Sequence, residues 1–193
     1  MQMYTRLILL ICCLGSAAGV LAQEDNPQLN KSPFLLKAGR VVYAVNSVRG
    51  QGTKELVFDQ WGYRQRETTR LTPTDTANWG SGRYETRILT PDRNWQINNQ
   101  TKAGLKLEVR PLERSPLVNA RYQVSGEPIL GYKCMKVKKQ YTTAWLYEGV
   151  IMKLEIRDPT TGQIVRTEKA VEADFTYEPP AGAFEVPEGI EFY

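Results

Sequence analysis

The sequence predicts a mainly β protein: a single curved antiparallel sheet forming a half-barrel or barrel, with little helix, behind a cleaved signal peptide. Three observations carry this expectation. Apolar and polar residues alternate in several short runs, the period of a strand with one buried face. Clusters of Gly, Pro, Asn and Asp separate those runs at short intervals. The first 22 residues follow the plan of a secretory leader.

In that leader Arg6 is the only charge and Leu7 to Leu14 is a short apolar core. Gly15, Ser16 and Gly19 then loosen the segment, and Val20-Leu21-Ala22 presents the residues a signal peptidase reads. A spanning helix needs about 20 consecutive apolar residues, which the glycines prevent. Cys12 follows Ile11, and Cys13 is followed by further apolar residues, so neither fits lipidation. The expected organisation is a signal peptide over 1–22, a flexible or weakly structured lead-in over 23–38, and one antiparallel β domain over 39–193. Cleavage leaves Cys134 as the sole cysteine and excludes an intramolecular disulfide. Exported animal domains of this size often carry a bridge, so the expected location is a bacterial periplasm, with the product soluble rather than lipid-anchored. No later apolar run reaches membrane length, and no transmembrane helix is expected in the mature chain.

The strands follow in order. Val41, Tyr43 and Val45 alternate with Val42, Ala44 and Asn46, and Gly50-Gln51-Gly52 reads as a glycine turn into Lys54–Asp59. Tyr63 to Leu71 is a third, polar strand, and residues 72–82 carry turn signals without periodicity. Arg83–Leu89 and Trp95–Ile97 are separated by Pro91-Asp92-Arg93-Asn94. Leu105, Leu107 and Val109 alternate with charges, the pattern of a half-buried strand. Residues 111–128 are broken by Pro111 and Pro116 around a short helical possibility at Leu112, Leu117 and Val118. Beyond Tyr132 the alternation returns in Met135, Val137 and Tyr141, then in Trp145-Leu146-Tyr147, with a turn at Glu148-Gly149. Val150, Met152, Leu154 and Ile156 alternate with Ile151, Lys153, Glu155 and Arg157, and Asp158 to Gly162 is a hairpin loop. Val171, Ala173, Phe175 and Tyr177 complete the pattern. Eight to ten short strands of this kind make a meander, and a long sheet must curl to bury one face.

Gly131-Tyr132-Lys133-Cys134, Trp145 through Lys153, and Phe184-Glu185-Val186-Pro187-Glu188-Gly189 resemble the C-terminal half of a group of exported bacterial proteins. That group is similar to the periplasmic lipoprotein-carrier superfamily. The resemblance implies a half-open antiparallel barrel over an apolar cavity, and it covers about residues 130–190. The carriers close their cavity with helices, and this sequence holds little helical signal.

The chain contains no histidine, which excludes Ser-His-Asp and Cys-His catalysis and histidine metal sites. One mature thiol excludes cysteine zinc sites. No cofactor and no metal are expected. Glu172 and Asp174 share a strand face, the spacing of any two acids on a solvated strand, and no catalytic residue is assigned. Cys134 reads as a buried, inert thiol. Trp79, between Asn78 and Gly80-Ser81-Gly82, is a loop ring placed to gate a cavity or touch a ligand. Arg64, Arg66 and Arg70 share a strand face and form a candidate site for anionic groups; a solvent face paired with glutamates of a neighbouring strand is the rival reading. The net charge of +4 permits attraction to anionic lipid without demanding it, and export argues against nucleic acid.

Two functions stay open. The preferred one is a non-enzymatic periplasmic domain binding or carrying an apolar ligand, a lipid or the acyl chain of a lipidated protein, against Val137, Trp145, Val150, Met152, Leu154 and Phe175. The alternative is a structural or interaction module that binds a cell-envelope protein and has a filled core.

Overall fold

A computed structural model describes residues 31–75, 82–112 and 123–193. The described residues form one sheet of strands β1 (Gly39–Ser47), β2 (Gly50–Asp59), β3 (Arg64–Pro73), β4 (Arg83–Thr90), β5 (Arg93–Asn98), β6 (Ala103–Lys106), β7 (Gln123–Ser125), β8 (Met135–Lys139), β9 (Thr142–Tyr147), β10 (Val150–Arg157), β11 (Ile164–Asp174) and β12 (Glu191–Phe192). Their spatial order is β12-β6-β5-β4-β3-β2-β1-β11-β10-β9-β8-β7. Two meanders, β1 to β6 and β7 to β11, are therefore joined along the β1/β11 pair, and only β12 and β6 run parallel. The sheet is curved and does not close into a barrel.

Most period-two runs became strands, with local differences. The β1–β2 connection lies at Val48-Arg49, and Gly50-Gln51-Gly52 already belongs to β2. The glycines serve close strand approach instead of the turn: a methyl on Gly52 would collide with the Arg70 carbonyl oxygen of β3, and one on Gly50 with that of Thr72. Backbone cannot yield there as a flexible side chain would. Gly52→Ala is expected to cost about 2 kcal/mol and to lower the melting temperature by about 4–8 °C. An unchanged melting curve would mean that β2 and β3 stand further apart. The strand expected across Leu105, Leu107 and Val109 stops at Lys106, and all three apolar side chains are exposed. At Glu148-Gly149 both residues have positive φ, 49° and 88°, as a two-residue hairpin turn requires.

Directly paired residues of neighbouring strands share a face, so the register sorts the side chains. Tyr43 opposes Lys54, Leu56 opposes Glu67, Gly52 opposes Leu71, and Val45 opposes Glu168. All of these belong to one face. At its Gly39/Phe58 end that face is filled by Val41, Tyr43, Leu56, Phe58, Val150, Met152 and their neighbours. Residues 31–38 pack here too: Ser32 is buried, the Phe34 N–H donates to the Trp61 carbonyl, and the Phe34 ring meets Phe58 edge-on at 4.7 Å. The opposite face buries Val57, Ile88 and Ile97 under the C-terminal segment, whose Ala183 and Phe184 complete that second core. The segment then runs beside β6 as β12, with Phe192 5.3 Å from the Trp95 ring. A third cluster, Val137, Ala144 and Leu146, lies on β8 and β9.

Candidate site on the concave face

The face that is packed at its Phe58 end is hollow at its Ser47 end. A chamber of about 650 Å³ there has Val48, Leu71, Pro73, Ile156 and Val165 as its apolar walls. Its residues come from β3 and β4 on one side and β10 and β11 on the other. Strands separated by β1 and β2 reach the same space only because the sheet curls, so this face is the concave one. A smaller chamber of about 320 Å³ adjoins it across Arg83, Glu85 and Arg166, and is lined by Lys54, Glu67, Arg87, Gln96 and Glu168 among others.

Glu168 is the structural centre of the polar side. It is 4% exposed. Its Oε1 accepts from Arg166 Nε at 2.8 Å, and its Oε2 forms an ion pair with Lys54 Nζ. Burial by itself would raise the carboxyl pKa, and the two cations outweigh burial and hold it below the ordinary carboxylate value. Lys54 also sits 4.7 Å over the Tyr43 ring. Burial pushes the Tyr43 hydroxyl well above its usual value, an effect reinforced by Glu67 and Glu168.

The residues expected to line an apolar site lie mostly in packed regions. Val137, Val150 and Met152 are completely buried, and Trp145 is nearly so. Trp145 carries Lys153 and Lys136 over its ring at 4.1 and 5.0 Å. Phe175 packs with Tyr132 and Tyr147 at 5.0 and 5.4 Å. None of the six borders either chamber. On β10 a register shift against β9 lies between Ile151 and Lys153; beyond it half-buried Leu154 packs with Val137, Ala144 and Leu146, and Ile156 is a wall of the larger chamber. Trp79 lies outside the described residues.

Arg64, Arg66 and Arg70 share a face as expected, and it is the one opposite the chambers, since Arg66 pairs with Val57 and Ile88. Each is engaged within the molecule. Arg64 makes a two-pronged contact with Asp59 and lies 4.7 Å over the Phe184 ring. Arg66 Nη1 donates to the Ala183 carbonyl at 3.0 Å, so both arginines help hold the C-terminal segment. Arg70 stacks on Tyr84 at 4.4 Å and donates to its hydroxyl. Cys134 is buried; its thiol lies 3.4 Å from the Tyr132 carbonyl, and burial pushes its pKa up. Glu172 pairs with Arg40, while Asp174 accepts from Thr176.

The chamber residues Lys54, Leu71, Arg83, Ile156, Arg166 and Glu168 carry no motif. Their only signal in the sequence is alternation, which marks a shared face without saying that it is hollow.

No family model matches the chain, and no curated protein matches it by sequence. Among the described residues, no helix is long and apolar enough to cross a membrane. Solved structures are similar in shape. An uncharacterized conserved protein from Thermus thermophilus superposes with a TM-score of 0.55 at 8% identity, over 82% of this chain and 91% of that one. MucB gives 0.46 at 14% identity, over 79% of this chain and 58% of MucB. MucB in complex with MucA(peri) gives 0.45 at 13%, over 78% of this chain and 54% of that one. At such identities the Thermus likeness concerns the fold alone, and the chain spans little more than half of MucB.

Proposed function

We propose that this is a non-enzymatic, exported binding domain that holds the alkyl part of a lipid or of an acylated protein in the hollow end of its concave face. The observation that carries the reading is the chamber of about 650 Å³ walled by Val48, Leu71, Pro73, Ile156 and Val165. That volume lies within the ~300–1,000 Å³ of small-molecule sites. The driving force is removal of alkyl surface from water, about 0.8 kcal/mol per methylene. Leu71 joins this wall to the packed cluster of Tyr43, Val150 and Met152, against which it rests.

Titration of the purified domain with a fluorescent fatty acid is expected to show saturable one-to-one binding. Ile156→Glu should weaken it at least tenfold while leaving the fold intact, because a partly open chamber admits water to the new carboxylate. A wild-type protein that binds no apolar probe would overturn the proposal.

A second reading rests on Leu105 of β6, exposed beside the short edge strand β12, and on Val109, exposed a few residues further along the chain. Exposed apolar side chains at a sheet edge fit a protein-binding edge. Under that reading the domain is an interaction module of the cell envelope, and the concave chamber stays empty in the fatty-acid titration.

A further inference from the structure

The smaller chamber extends the reading to the ligand's other end. It faces the larger one across Arg83, Glu85 and Arg166, so a molecule whose tail fills the apolar space places its next atoms among charges. Those charges are not balanced against one another. Lys54, Arg83, Arg87 and Arg166 line the chamber against Glu67, Glu85 and Glu168. Each of the carboxylates already has a cation close by. Glu168 holds Lys54 and Arg166, Glu67 lies 3.9 Å from Lys54, and Glu85 lies 2.5 Å from Arg83. Glu85 also accepts from Gln96 at 3.1 Å. Arg87, by contrast, meets no carboxylate within ion-pair distance among the described residues and reaches only Asn94 Oδ1 at 3.4 Å. Glu85 and Glu168 are therefore occupied, Glu67 has only a distant share of Lys54, and with four cations to three acids the surplus is cationic. Arg83 and Arg87 are exposed residues of the chamber's lining and carry planar donor forks suited to the oxygens of a carboxylate or phosphate. A cationic head would have Glu67 as its one loosely held carboxylate, and would meet it beside Lys54 and against the cationic surplus.

We infer that the ligand is an anionic amphiphile, its tail in the larger chamber and its carboxylate or phosphate head in the smaller one, held by Arg83 and Arg87 beside Arg166. This rests on the proposed function above. Buried Glu168 is a positioning residue: it fixes Lys54 and Arg166 at the chamber wall and does not itself meet the ligand's head.

The test is calorimetric titration of the whole domain with four amphiphiles of one chain length, below their micelle concentrations and at physiological salt. They are dodecanoate, dodecyl phosphate, dodecyl maltoside and dodecyltrimethylammonium. The two anionic compounds are expected to bind about tenfold or more tightly than the neutral one, the size that a charge-assisted hydrogen bond supplies. The tighter of the two identifies the head as carboxylate or phosphate. In the double variant Arg83→Gln, Arg87→Gln, both at exposed positions, the ratio of anionic to neutral affinity should fall towards one. Equal affinity for anionic and neutral heads in the wild type would overturn this inference and leave the binding function standing. Tighter binding of the cationic head would overturn it as well. Binding of none of the four would overturn both.

Discussion

Lys54→Met is expected to lower the unfolding free energy by about 3 kcal/mol, the largest effect of any single charge removal among the described residues. The cause is the carboxylate left behind. Glu168 is 4% exposed, opposite Val45 of β1 and Leu154 of β10, so water reaches it too little to replace a lost cation in full. Arg166 would remain, but it already serves the other carboxylate oxygen. Urea denaturation of Lys54→Met, Glu168→Met and the double variant checks this. The double variant should regain most of the loss, because replacing both partners by apolar groups removes the desolvation along with the attraction. Strictly additive losses would show that the two side chains do not act as a pair. The wild type should also lose stability in acid. The folded-state pKa of Glu168 lies below its ordinary value of 4.5, so its contribution is complete above that value and disappears as the pH falls through the depressed one. The double variant should show a shallower acid limb.

Met152→Glu is expected to unfold the domain or to cost about 3 kcal/mol or more. Met152 is completely buried in the cluster with Tyr43, Val150 and Ala170. It also lies where the register of β10 against β9 shifts between Ile151 and Lys153. A carboxylate there finds neither water nor a cation among the residues of that cluster. Ile156→Glu, further along the same strand, enters the chamber and should leave the melting temperature within a few degrees of the wild type. Thermal denaturation of the two variants side by side thus maps where the concave face changes from solid to hollow. A modest melting shift for Met152→Glu would place the hollow deeper than the Phe58 end allows.

Much of the fold was legible in the sequence because strand period and turn chemistry are local. The β9–β10 turn at Glu148-Gly149 and the Asp158 loop were both readable, the latter because the Asp158 carboxylate accepts from the Thr160 and Thr161 amides. The β1/β11 pairing was not, since nothing local in Val41–Val45 names a partner so far along the chain. Nor was the bulge that turns Val171 outward, where Tyr43 opposes Ala170 and Val42 opposes Glu172. The site was harder still. Lys54, Glu67 and Glu168 alternate as solvent-facing charges do, and only the curl of the sheet makes their side an interior. The Arg64, Arg66 and Arg70 stripe was legible as a stripe, and its partners on the C-terminal segment were not.

The seam between β1 and β11 also has a meaning for how the molecule comes into being. β1 is the first strand of the domain and stands in the middle of the sheet, yet its neighbour on one side is the last long strand to be made. Until residues 164–174 have been synthesised, Val41, Tyr43 and Val45 belong to a strand with an unpaired edge, the kind of surface that invites pairing with a foreign chain. Contacts this distant along a chain also slow folding, because the intervening loop must close before they reward it. The first meander therefore keeps an open edge along β1 until the second half of the chain is there to cover it. A nascent chain of this design depends on being kept apart from others until its second half arrives.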